Sequence, residues 1–245
     1  MAIGARGRAH RQARPVQCAL KVGQSPVFLA SRRAASYIAR MKKPDRKKSL
    51  VPEQSSLAGQ FLIAMPGMTD KRFARSVIYM CVHSEDTAMG IVINKLADNI
   101  SFSELLEHLE LDGLPDQGDE VHELADMHVH FGGPVEPGRG FVLHTPDFQT
   151  RKRTLAVEKE ICLTATVDIL KAIAQGKGPS RSLLALGYAG WAGGQLEAEI
   201  RANGWLHCSA DADIVFDPVL ERKYERALKM MGIDEGYLVS ASGNA

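Results

Sequence analysis

Ten residues have the types and neighbours from which this chain could build chemistry: Asn94, Lys95, Gly132, Gly133, Arg139, His144, Gly190, Trp191, Gly194 and Gln195. Asn94 and Lys95 place an amide beside a cation, a pair able to hold a carboxylate or phosphate. Arg139 sits between Gly138 and Gly140 and offers a second cation where backbone can approach closely. His144, in FVLHT, ends a predicted strand, where an imidazole titrating near neutral pH can act as a base. If these segments meet in one water-accessible cleft, they form a small-anion site or an acid–base enzyme. The alternative is a set of scattered structural residues: a turn asparagine, a solvated lysine and a histidine bonded to a neighbouring loop. Convergence in one concave pocket separates the two readings.

The densest of these segments is Gly187–Gln195, GYAGWAGGQ, between the apolar Leu183–Leu186 and LEAEI at 196–200. The layout predicts strand, glycine-rich turn, helix. Such a turn is either a tight structural connection or a cradle for an anion at a helix start. Its spacing is neither G-x-G-x-x-G nor a P-loop. Glu197 and Glu199 differ by two on a helix and do not face one another, so they form no general-acid pair. Trp191 and Trp205 read as packing residues.

Other chemistries find no pattern. There is no G-x-S-x-G, H-E-x-x-H or EF-hand loop, and Cys81 lies in an apolar run without an adjacent cation. His128 and His130 form H-x-H on one strand face, but no third ligand is evident nearby, so neither metal nor cofactor is expected.

Several elements must position these residues. Short strands are predicted at 61–65, 77–82 and 89–93, the last two as a hairpin, with further strands at 128–131 and 140–144 around the turn-rich GGPVEPGRG. Segments 154–157 and 160–163 form another pair, followed by strands at 183–188 and 205–208. Ser101 with Glu104 makes a capping box for a helix ending near Gly113, before an acidic loop over 112–126. Helices follow at 167–174 and 195–202, and a last one starts at Asp217-Pro218 and runs to Gly232. Strands and helices are interspersed without a βαβ repeat. The expected architecture is α+β: a single compact domain over 57–245 with a mixed β-sheet and surrounding helices.

LALGYAGWAGGQLEAEI at 184–200 resembles the signature of the bacterial YqgE/AlgH family. Further fragments match in order: FLIAMPGMTDKRFARSVIYMCVH (61–83), AMGIVINK (88–95), VHFGGPV (129–135), RGFVLHT (139–145), NGWL (203–206) and ADIVF (212–216). Thr87 and Leu96 stand where that family often has glycine and proline. The family has no settled activity. One branch is named for regulating alginate synthesis, which implies a transcription-related role. The resemblance thus implies a cytoplasmic, non-enzymatic regulatory or ligand-responsive module acting on transcription indirectly.

Charge distribution bounds the partners. Residues 1–49 hold thirteen Lys or Arg against one acid, Asp45, for +12; the remainder holds 17 basic and 28 acidic residues, for −11. The acidic body is poorly suited to coating phosphate backbones, and any nucleic-acid contact should be weak and confined to the leader. The leader, 1–56, lacks sustained apolar periodicity and is expected to be disordered, whether it is a basic arm, a transit-like peptide, or partly upstream of a true start at Met41. No apolar run approaches a membrane span. Cys18, Cys81, Cys162 and Cys208 form no C-x-x-C pair, which fits a reducing cytoplasm. A small anionic ligand or a protein is the expected partner.

Overall fold

The computed structural model describes residues 56–98, 100–109, 127–149 and 153–236. The leader apart from Ser56, the expected loop over 112–126, and the tail after Gly236 lie outside these.

Alternating apolar strands make a curled sheet in the order β6-β7-β5-β8-β3-β2-β1-β9, with β4 beside β8. The strands are β1 (Gln60–Ala64), β2 (Val77–His83), β3 (Thr87–Val92), β4 (Val129–Phe131), β5 (Val135–His144), β6 (Thr154–Ala156), β7 (Cys162–Thr164), β8 (Ser182–Ala192) and β9 (Trp205–Ser209). Period-two alternation assigns each face. In β2, Val77, Tyr79 and Cys81 enter one core, while Ile78 and Met80 enter another. The first core gathers residues from β1, β2, β3, β5, β7 and β8 under two helices, α4 (Ala212–Val215) and α5 (Leu220–Met230). The second lies beneath α3 (Gln195–Arg201), around Trp191, Leu196 and Trp205. A third joins α1 (Phe102–His108) and α2 (Val167–Ala174) to β4, β5 and β8.

The domain is α+β, and the sheet is mixed through one pair: β4 runs parallel to β8, and the other strand pairs are antiparallel. The 77–93 hairpin forms as expected, with a register shift between Met80 and Val82. The Ser101–Glu104 capping box is present at the start of α1.

Three expectations need correction. The chain does not turn at Gly187. β8 continues to Ala192, pairing with β5 and β4 through its first half and with β3 through Ala189–Ala192, so only Gly193-Gly194 turn. β5 begins at Val135 rather than Gly140, absorbing most of the presumed connection through an irregularity between Val135 and Gly140. The short α4, capped by Asp211, was hidden in ADIVF, and α5 starts at Leu220 instead of Pro218.

Candidate functional site

The glycines of the signature first solve a crowding problem. Gly187 has φ +72°, and a Cβ there would meet the Gly133 carbonyl oxygen at 2.3 Å. A Cβ on Gly132 would lie 2.2 Å from the Gly187 oxygen, and one on Gly133 2.1 Å from the Tyr188 carbonyl carbon. Two backbones therefore touch where β4 runs out beside the middle of β8, and a side chain on any of the three would separate them. Gly194 has φ +75° with open space around it, so its requirement is purely torsional, whereas Gly190 has no positive φ.

The polar side chains of the same segment converge on one carboxylate. Glu199 Oε2 accepts from Nε1 of both Trp191 and Trp205 at 2.9 Å, and its Oε1 accepts from Gln195 Nε2 at 2.9 Å. Gln195 Oε1 accepts from the Ala192 backbone N–H at 3.1 Å. The two indoles meet edge to face at 6.0 Å. Trp191 and Gln195 are thus bonded into the fold, and Glu199, dismissed in the sequence as half of an acid pair, is their hub. One residue pair away, His83 Nε2 donates to Glu197 Oε1 at 2.8 Å while its Nδ1 accepts from the Leu57 N–H.

Asn94 is a backbone clamp. Its Oδ1 accepts from the Val77 N–H and its Nδ2 donates to the Arg75 carbonyl, both at 2.8 Å. Lys95 Nζ donates to the Arg72 carbonyl at 2.8 Å and lies near Asp70; burial lowers its pKa and Asp70 opposes that shift. Arg139 bonds Glu136 at 2.9 Å and lies over the Phe141 ring. His144 is fully buried: Nδ1–H donates to the Thr145 carbonyl at 2.7 Å, leaving Nε2 to accept from Thr164 Oγ1 at 2.9 Å. Thr154 in turn meets Thr164 at 2.8 Å, a polar chain across β6, β7 and β5. Burial lowers the His144 pKa and favours the neutral ring, whose two nitrogens are both already hydrogen-bonded within the protein.

The structure does not bring these residues into one cleft. Lys95 pairs with Phe131, Phe131 lies opposite Leu186, and Leu186 opposite Gly140, four residues before His144. Lys95 and His144 are therefore three strand spacings apart, about 14 Å across the sheet, and about 13 Å apart along it. Gly132 and Gly133 sit between, beside Lys95; Gly190, Trp191, Gly194 and Gln195 belong to the Glu199 neighbourhood.

Two further ionisable groups sit inside the fold. Lys223 on α5 is fully buried, and its Nζ donates to the carbonyls of Ile93 at 2.9 Å and Val215 at 2.8 Å; burial pulls its pKa down to about 8. His130 on β4 donates from Nδ1 to the Leu184 carbonyl at 3.0 Å, and burial, with the nearby Lys223 charge, lowers its pKa to about 4.

A cavity of about 480 Å³ opens elsewhere, where β1 and β2 meet the β6–β7 turn and the end of β9. Tyr79 lines it. The ring is fully buried, and its hydroxyl has no hydrogen-bond partner among the described residues. Burial raises the phenol pKa, so the group remains a donor. Glu158 and Glu160 line the same space, and Glu158 lies flat on Gly59, where a Cβ would come within 2.4 Å of its Cγ. A second cavity, about 350 Å³, shares Glu160 and Ala212 with the first and adds Arg181, Asp211 and Asp213. None of the ten candidates lines either cavity. Tyr79 carried no signal in the sequence, because within VIYMCV it reads as an ordinary core aromatic.

Comparison with known proteins places the chain in context. A family model described as AlgH-like matches residues 61–236. A UPF0301 protein of Rhodopseudomonas palustris is 54% identical over 208 residues, spanning 83% of this chain and 98% of the relative. One from Beijerinckia indica is 56% identical over 189 residues, spanning 77% and 92% respectively. The solution structure of AlgH from Pseudomonas aeruginosa superposes with a TM-score of 0.63 at 40% identity, covering 81% of this chain and all of that one. A Corynebacterium diphtheriae protein shares the fold alone, at 19% identity and a TM-score of 0.58.

Proposed function

The chain belongs to the AlgH-like family, and from that premise we propose that it is a binding module without catalysis of its own, acting through the cavity beside Tyr79. The observation that carries this reading is the buried Tyr79 hydroxyl. Among the described residues it is a donor without a partner, on a side chain that lines a cavity large enough for a small ligand or a peptide side chain. By contrast, the hydrogen-bonding groups of Asn94, Lys95, His144, Trp191 and Gln195 are engaged within the protein.

An influence on transcription, in this reading, is indirect and runs through whatever occupies the cavity. The −11 charge outside residues 1–49 argues against duplex DNA as the direct partner of the body. Glu158 and Glu160 argue for a cationic rather than an anionic occupant. The module operates in the cytoplasm, and its assay is binding rather than turnover.

The test is a thermal-shift screen of the full chain against amines, amino acids, nucleotides and phosphate esters, repeated on Tyr79→Phe and Lys95→Ala. A ligand that binds the native state raises the melting temperature by mass action. A shift abolished by Tyr79→Phe and retained in Lys95→Ala supports the cavity. The reverse pattern supports an anion site at Lys95 and overturns it.

A further inference from the structure

The two cavities adjoin at Glu160 and Ala212, which line both, and we treat them together as an acidic groove. Along it stand Glu158, Glu160, Asp211 and Asp213 against Lys159 and Arg181, and Arg181 is already committed to Asp213 at 2.7 Å. Acidic side chains alone would be a solvated surface. Here Tyr79 also lines the groove, fully buried, and its hydroxyl has no partner among the described residues, which leaves a donor that an acceptor from outside them would satisfy.

The chain enters the fold at this same place. Ser56 lines the first cavity, with its hydroxyl on the His83 carbonyl. Immediately upstream lies the most basic stretch of the protein, Lys42, Lys43, Arg46, Lys47 and Lys48 against Asp45. Lys48 is eight residues from Ser56, within about 28 Å of it even in extended chain. A segment tethered so closely is presented to the groove at high effective concentration and needs only modest intrinsic affinity.

We propose that the acidic groove is the docking site of this chain's own basic segment, Lys42–Lys48. The lysine and arginine heads pair with Glu158, Glu160 and Asp211, and a main-chain carbonyl of the segment accepts from Tyr79. The inference rests on the cavity assigned above and names its resident occupant. A cationic partner then gains access by displacing the segment, which makes the leader a tethered competitor. A start at Met41 would retain the whole segment.

Zero-length carbodiimide cross-linking of the full chain tests this, read by peptide mass spectrometry. Expected are intramolecular amide links from Lys42, Lys43, Lys47 or Lys48 to Glu158 or Glu160. They should fall by about an order of magnitude at about 1 M salt, where screening acts over roughly 3 Å. They should fall similarly in Arg46→Glu/Lys47→Glu, which leaves the folded body untouched, and fall in part in Tyr79→Phe. Leader links that spread evenly to remote carboxylates such as Asp168 and Glu221 would overturn the proposal. So would groove links that arise only between isotope-labelled and unlabelled chains, which would assign the groove to a second copy. If leader links fail while a ligand shift remains sensitive to Tyr79→Phe, the occupant is wrong and the cavity stands; if both fail, the cavity assignment falls as well.

Discussion

The Glu199 carboxylate accepts the indole N–H of Trp191 at 2.9 Å, across the two-glycine turn that separates their elements. With Trp205 on the same oxygen, it ties β8, α3 and β9 into one corner. Replacing Glu199 by Ala strands two buried indole donors and the Gln195 amide. The expected cost is about 3 kcal/mol, since each unsatisfied buried donor costs roughly 1–3 kcal/mol and the site relaxes in part. Urea unfolding followed by tryptophan fluorescence measures it. A loss below about 1 kcal/mol would mean that the carboxylate is replaceable by water.

Three of the four glycines of β8 and its turn, Gly187, Gly190 and Gly194, should rank by cause. Gly187→Ala combines positive φ with a 2.3 Å approach to the Gly133 carbonyl, so it should cost more than about 3 kcal/mol or prevent folding. Gly194→Ala faces only a torsional cost, about 1 kcal/mol. Gly190→Ala meets only the Tyr188 ring edge at 3.1 Å and should be the mildest. Melting temperatures of the three variants check the order, and Gly190→Ala as the worst would contradict it.

Asn94→Ala should lose about 2 kcal/mol by freeing the Val77 N–H and the Arg75 carbonyl. It should leave untouched any ligand shift that depends on Tyr79. Ligand binding lost at full stability would restore Asn94 to a binding role.

Acid should weaken the fold through His130. Its pKa is about 4 in the native state against an ordinary 6.5, so the unfolded chain binds the proton more readily between those values. Stability from this group is therefore present above pH 6.5 and lost as pH falls toward 4, by up to about 3 kcal/mol. The lowered His144 pKa acts in the same direction. Denaturant unfolding from pH 7 to pH 4.5 should show a steeper decline in the wild type than in His130→Gln. Parallel curves would contradict the assignment.

Where local pattern decided structure, the sequence was legible. The apolar run VIYMCV and the capping box at Ser101 both predicted their elements, as did the segment 167–174 that stops at Gly176. Gly187 misled because glycine signals either a turn or a close backbone approach, and only the position of β4 decides between them. The candidate site failed to gather for a similar reason. Lys95 follows β3 and His144 ends β5, but strand order is a long-range property, and β4 and β8 intervene. Tyr79 was invisible because an orphaned hydroxyl is defined by what does not surround it.

The function proposed for the cavity beside Tyr79 is binding without turnover. Its most direct measurement incubates the full chain with a ligand found by thermal shift and follows both partners by NMR. Resonances of residues lining the cavity should move, the ligand should be recovered chemically unchanged, and Tyr79→Phe should abolish the perturbation. Steady conversion of the ligand to a product, lost in His144→Ala but not in Tyr79→Phe, would contradict it.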